Sequence, residues 1–152
     1  MKILYLHHAN RISGVDDISR LGTRDAQITA KLLFQRHKEQ PLTVIYSAPS
    51  NRCLKTANII NKKLRLPLVI DNNLNEFDSH SESWLDAQIR IHSFLKQIVK
   101  THDNNAIIIC VTSGVNVAAF FDFANNRQPS ENNAFVGLIS CSPLVFDIQK
   151  PQ

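Results

Sequence analysis

No apolar run in this chain is longer than the six residues from Ala106 to Val111, far too short to cross a bilayer. The first apolar stretch, beginning at Lys2, is interrupted by His7, His8, Asn10 and Arg11, so it does not read as a signal peptide. The expectation is a cytoplasmic protein with no membrane partner. No Cys-x-x-Cys pair is present: Cys53, Cys110 and Cys141 are widely spaced and odd in number, which points to reduced thiols, with Cys110 and Cys141 inside strand-like runs. No dense block of Lys and Arg with interleaved aromatics occurs. The net charge of +4 therefore permits an anionic ligand without pointing to nucleic acid. No Gly-x-Gly-x-x-Gly or P-loop pattern follows the first apolar run, which argues against a generic nucleotide-binding sheet. Internal repeats, low-complexity segments and linkers are also missing.

What remains is an ordinary globular balance, 43% hydrophobic and 20% charged over 152 residues. That length suits one core, read as a single domain over 1–152. The periodicity alternates between strand and helix. Ile3 to Leu6 is a buried strand. Asp16 to Ser19 caps or precedes a helix that runs to about Lys38 through Ala26, Ala30 and Leu33. Thr43 to Tyr46 is a second strand, and Leu54, Ala57, Ile60 and Leu64 recur at helical spacing after it. Leu68 to Ile70 is a short strand, and Glu82 to Lys100 is the longest helical pattern. Ala106 to Val111 is the most apolar strand, and Val115 to Phe123 a helix. Phe135–Ser140 and Leu144–Ile148 read as closing strands of a hairpin around Ser142-Pro143. This order predicts an α/β fold: a three-layer α/β/α sandwich with a mostly parallel central sheet.

The chemistry-bearing residues fall at strand ends, where open α/β sheets bind ligands. The first strand ends in His7-His8-Ala9. The second leads into Ser47-Ala48-Pro49-Ser50-Asn51-Arg52-Cys53-Leu54-Lys55-Thr56-Ala57. Leu74-Asn75-Glu76 follows the short strand, and Val111-Thr112-Ser113-Gly114-Val115 follows the most apolar one. This set resembles the histidine phosphatase, or phosphoglycerate-mutase-like, superfamily. That family carries R-H-G or R-H-A, S-P-x-x-R-x-x-Q-T-A, L-x-E and V-S/T-H-G at these places. The second block is the most specific, with Ser47, Arg52, Thr56 and Ala57 in phase. The short stretch between Glu76 and the long helix is similar to compact members such as the phosphohistidine phosphatases.

The resemblance implies a phosphoryl-transfer site that uses neither cofactor nor metal. His8 takes the position of the nucleophile that becomes phosphohistidine, which requires an unprotonated ring nitrogen facing phosphorus. Arg52 takes a phosphate-clamping position and Glu76 that of the acid for the leaving oxygen. The implied partner is a phosphorylated small molecule or phosphoprotein.

Two family groups are replaced. The arginine before the nucleophile is His7, and the second histidine is Ser113. Phosphoryl transfer relies on positioning and electrostatics, and one lost preorganised donor typically costs ~3 kcal/mol. His7 is expected to be mostly neutral at pH 7 unless a phosphate raises its pKa, so activity is expected to rise toward acid pH until His8 protonates. Arg11 is the candidate replacement cation, whereas Lys55 reads as a surface charge. A metal site from His7, His8 and Glu76 is disfavoured, because adjacent strand-end histidines point in different directions. The implied activity is a weak phosphatase working through phospho-His8. The alternative is a pseudophosphatase that kept the fold to bind a phospholigand or protein.

Overall fold

A computed structural model describes residues 1–130 and 140–149 of the chain. Five strands and four helices alternate: β1 (Lys2–His7), α1 (Arg20–Glu39), β2 (Val44–Ser47), α2 (Asn51–Leu64), β3 (Leu68–Ile70), α3 (Trp84–Thr101), β4 (Ile107–Thr112), α4 (Val117–Ala124) and β5 (Pro143–Asp147). The sheet order is β3-β2-β4-β1-β5. β1, β4, β2 and β3 run parallel, and β5 joins β1 antiparallel at the edge. The expected α/β sandwich with a mostly parallel sheet is the observed architecture.

The central strands explain the arrangement. Every residue of β4 is buried, and Ile3, Leu4, Tyr5 and Leu6 of β1 are fully covered. Such near-continuous apolar strands belong to parallel sheets covered on both faces. Tyr5, Cys110 and Tyr46 share one row of the sheet, which meets Phe120 of α4 and Phe94 of α3. Helices α1 and α2 pack on each other, as do α3 and α4.

Local chemistry sets the helix ends. Ser19 caps α1 by accepting the Gly22 N–H at 3.0 Å. Gly22 lets α1 approach the loop after β1: a Cβ there would overlap the Asn10 carbonyl oxygen. α3 starts at Trp84 rather than Glu82, because Ser83 and Asp86 form a capping box. After β4 the chain makes one tighter turn, Gly114–Asn116, before α4 begins.

Two expectations change in the last third. Cys141 lies in a turn with φ 58°, not in a strand. Pro143 opens β5 as its first residue, a position where a missing N–H is tolerated on an edge strand. The strand expected at Phe135–Ser140 falls outside the described residues except for Ser140, which sits in a turn.

Candidate functional site

The carboxyl ends of the four parallel strands carry the sequence-predicted residues. His8 follows β1, Arg52 is the second residue of α2, Glu76 lies two residues past the Asn72–Leu74 turn after β3, and Ser113 follows β4.

His8 is buried and held through its backbone and its ring. Its N–H donates to the Thr112 carbonyl at 2.9 Å, and its own carbonyl accepts from Ser140 Oγ at 3.2 Å. The ring Nδ1 bonds the Ala9 carbonyl at 2.9 Å. A carbonyl only accepts, so Nδ1 carries the proton and Nε2 keeps its lone pair. Burial is the main cause of a lowered His8 pKa. The Ala9 carbonyl and Glu76 oppose that shift, while Arg52 and Arg11 add to it.

His7 lies beside it, with ring centroids 4.3 Å apart. The two rings therefore do not diverge, contrary to the alternation expected of a strand. His8 is already past the end of β1, where the pleat no longer dictates direction. Burial lowers the His7 pKa to about 4, with repulsion from His8, Arg52 and Arg11 contributing. Among the described residues, no group of three His, Cys, Asp or Glu side chains is arranged to hold a metal ion.

Arg52 is buried, and both of its terminal nitrogens are engaged. Nη1 donates to Asp16 Oδ1 at 2.7 Å and Nη2 to Glu76 Oε2. Asp16 also accepts the Asn51 N–H at 2.8 Å and the Arg52 N–H at 3.3 Å. It thus caps α2, whose own Ser50 makes no capping bond, rather than α1 as its place in the sequence suggested. Burial is the largest single influence on the Asp16 carboxyl and pushes its pKa up, but those backbone N–H groups and the Arg52 guanidinium together outweigh it and hold the pKa below its ordinary value.

Arg11 is exposed, and its charge reaches both imidazoles. Lys55 instead pairs with Asp17 at 2.5 Å and stays outside the cluster. Ser113 is buried beside the His7–Thr112 pair of β1 and β4. Its carbonyl accepts the Tyr5 hydroxyl, and its Oγ has no hydrogen-bond partner among the described residues.

Several positioning groups escaped the sequence reading. Thr56 Oγ1 accepts the Ala9 N–H at 3.0 Å and donates to the Arg52 carbonyl at 2.7 Å. Thr112 Oγ1 donates to the Leu74 carbonyl at 2.6 Å, and Asn116 Nδ2 to that of Asn75 at 2.9 Å, which fixes the turn before Glu76. Arg90 grips the same turn through the Asn73 carbonyl at 2.6 Å. Thr56 and Thr112 stood inside the quoted motifs; Asp16 was read only as part of a helix start, and Asn116 and Arg90 left no local signal.

A model of the histidine phosphatase superfamily (branch 1) matches residues 7–81, the segment that contains His8, Arg52 and Glu76. Residues 7–81 belong to the histidine phosphatase superfamily. Solved structures agree on the fold. A mycobacterial glucosyl-3-phosphoglycerate phosphatase complexed with VO3 superposes with TM-score 0.78 at 17% identity, over 95% of this chain and 90% of that one. YhfR of Bacillus stearothermophilus gives 0.75 at 18% identity, over 95% and 89%. A phosphoserine phosphatase of Entamoeba histolytica, solved with 3-phosphoglyceric acid, gives 0.73 at 17% identity, over 95% and 89%. No curated protein sequence matches the chain. No helix among the described residues is long and apolar enough to cross a membrane.

Proposed function

We propose that this protein is a weak phosphatase that transfers a phosphoryl group from a small phosphomonoester to His8. The observation that carries the reading is the Nδ1 bond from His8 to the Ala9 carbonyl. It leaves Nε2 unprotonated at neutral pH, which is the state a nucleophile needs.

The steps follow from the cluster. The phosphoryl group enters beside the two imidazoles and exchanges with Glu76 on Nη2 of Arg52. Asp16 keeps Nη1 and the start of α2 in place. Nε2 of His8 forms the bond to phosphorus as the bond to the ester oxygen breaks. Glu76, released from Arg52, takes up the proton of the arriving phosphomonoester monoanion and passes it to that oxygen, and the alcohol leaves. Water then attacks phosphorus, the P–N bond breaks, and phosphate and neutral His8 are restored. Arg11 and Arg52 supply the charge that faces the phosphoryl oxygens.

A second reading, a pseudophosphatase that binds a phospholigand or phosphoprotein without turnover, also draws on specific observations. Both terminal nitrogens of Arg52 are already bonded to carboxylates. His7 is kept neutral, and Ser113 brings no charge.

The deciding experiment is a rapid-quench incubation with p-nitrophenyl phosphate, followed by mass spectrometry at alkaline pH, where phosphohistidine survives. A phosphoryl group on His8, lost in His8→Ala together with turnover, supports the phosphatase. Phosphate binding without a His8 adduct or turnover leaves the pseudophosphatase. Turnover that survives His8→Ala rules out the phosphohistidine route.

A further inference from the structure

A second cleft lies at the other end of the sheet. The last turn of α3 leads into the start of β4, and β5 finishes beside Lys2, so this end carries the amino-terminal edge of the parallel strands. A cavity of about 310 Å³ opens there between the last turns of α3 and the end of α4. Its walls include Lys96 and Lys100 from α3 and Arg127 from beyond α4, over an apolar floor of Val99 and Phe123. Among the described residues no carboxylate lines it. Among the described residues none of these three cations is ion-paired, although Arg127 also lies over the Phe121 ring. Three like charges around one concavity repel one another, and an anion relieves that repulsion.

His92 lines the same cavity, is 4% exposed, and has no hydrogen-bond partner for Nε2 among the described residues. Burial lowers its pKa; Asp122 and the Ala119 carbonyl oppose that shift, while Lys96 adds to it. Asp122 is buried in α4 and does not line the cavity. Nε2 accepts or donates according to the tautomer of the ring, and a hydroxyl can meet it in either state. A buried polar atom left unmatched is costly, which marks this wall as one that a hydroxyl would complete.

We infer that the cleft between α3 and α4 is a binding site for a small organic polyanion that also carries a hydroxyl. Lys96, Lys100 and Arg127 would take its charged oxygens, His92 its hydroxyl, and Val99 and Phe123 its carbon skeleton. The amide side chains of Asn126, Gln128 and Gln149, which also line the cleft, would bond the remaining oxygens. This inference is independent of the phosphatase reading, because it shares no residue with the His8 cluster.

Citrate and tricarballylate, which differ by one hydroxyl, are the probes. Each is titrated into the 15N-labelled full chain at constant ionic strength while amide shifts are followed. The expected result is saturable shifts across residues 92–100 and 123–128, with citrate several-fold tighter than tricarballylate. The double variant Lys96→Glu, Arg127→Glu is expected to weaken citrate by at least about tenfold, and Arg52→Gln to change it by less than about twofold. Both altered lysine and arginine side chains are exposed, so the double variant should fold; its melting temperature checks that. Shifts confined to residues 7–11, 52 and 76, or citrate binding unchanged in the double variant, would overturn the site. Equal binding of the two probes would overturn the role given to His92.

Discussion

The backbone N–H of Ala9 and the side chain of Thr56 meet at 3.0 Å across 47 positions of sequence. Through this bond the loop that carries His8 is fixed to the helix that carries Arg52, since Thr56 also donates to the Arg52 carbonyl. Both ends are buried, so no water takes over if the hydroxyl is lost.

Thr56→Val is therefore expected to cost about 1–3 kcal/mol, because a buried N–H loses its acceptor while side-chain volume hardly changes. Thr56→Ser keeps the hydroxyl and should retain most of the stability and anion affinity. Urea unfolding of the two variants checks this. Equal midpoints for Val and Ser would mean that the hydroxyl links nothing.

Asp16→Ala removes the cap of α2 and the tether on Nη1 of Arg52 together. A lost cap alone costs about 0.5–2 kcal/mol. Asp16→Asn keeps an acceptor for the Asn51 N–H and should lose less. Denaturant midpoints for both variants test the ranking, and an unaffected Asp16→Ala protein would show that α2 does not need this carboxylate.

Stability should fall on the acid side. In the unfolded chain His7 takes up a proton near its ordinary 6.5, whereas in the fold it does so only near about 4. The neutral buried ring thus contributes stability that is fully present above 6.5 and is lost as pH falls from 6.5 toward 4. The loss is at most about 3 kcal/mol for this group and smaller once solvent screening is discounted, and buried His8 and His92 act in the same direction. His7→Gln should flatten the decline between pH 6.5 and 4.5 in chemical denaturation. An identical slope in the variant would contradict the burial of a neutral His7.

Turnover should be slow at pH 7 and should not improve on acidification. The sequence led to the opposite expectation, that His7 gains charge before His8 is lost. His7 is the more deeply depressed of the two rings, because His8 is partly supported by the Ala9 carbonyl and by Glu76. His8 therefore protonates first. A pH–rate profile with an acid maximum that disappears in His7→Gln, while turnover still requires His8, would refute this order.

Restoring the two family groups tests whether the cleft chemistry alone has decayed. His7→Arg supplies a permanent charge, and Ser113→His a second imidazole. The two together should raise turnover or phosphate affinity more than the sum of the singles, since they hold different oxygens of one group. Ser113 is buried, so the larger ring risks overpacking by about 1–3 kcal/mol, and folding must be checked first. A folded double variant without gain in either measurement would show divergence beyond these two positions.

The parts of the fold that were legible in the sequence were those written in local pattern. The apolar runs of β1, β2 and β4, the cap at Ser19 and the helical spacing of α2 each depend on near neighbours. The cluster was legible only as far as strand ends and motifs placed it: His8, Arg52 and Glu76 come together at one end of the sheet. Asp16 was read as part of a helix start, yet its carboxylate serves a helix 35 residues further on. Cys141 looked like a strand residue because its neighbours are apolar, but its carbonyl is held by Thr29 Oγ1 at 2.7 Å and its N–H by the His7 carbonyl at 3.1 Å, in a left-handed turn. Relationships of this kind depend on chain reversal in space, and no window of sequence contains both partners.

The bracketing of Arg52 by Asp16 and Glu76 bears on how quickly a ligand can arrive. Two carboxylates set against Arg52 and Arg11, with both imidazoles uncharged, leave the mouth of the cleft close to electrical neutrality. Such a cleft casts no long-range field toward a phosphate dianion, so capture proceeds by unguided collision, nearer the ~10⁵–10⁶ M⁻¹s⁻¹ of neutral encounters than the ~10⁸ M⁻¹s⁻¹ of steered ones. The association rate would then hardly respond to added salt. The lure for anions at long range would lie instead at the far end of the sheet, where Lys96, Lys100 and Arg127 stand without counter-charges among the described residues.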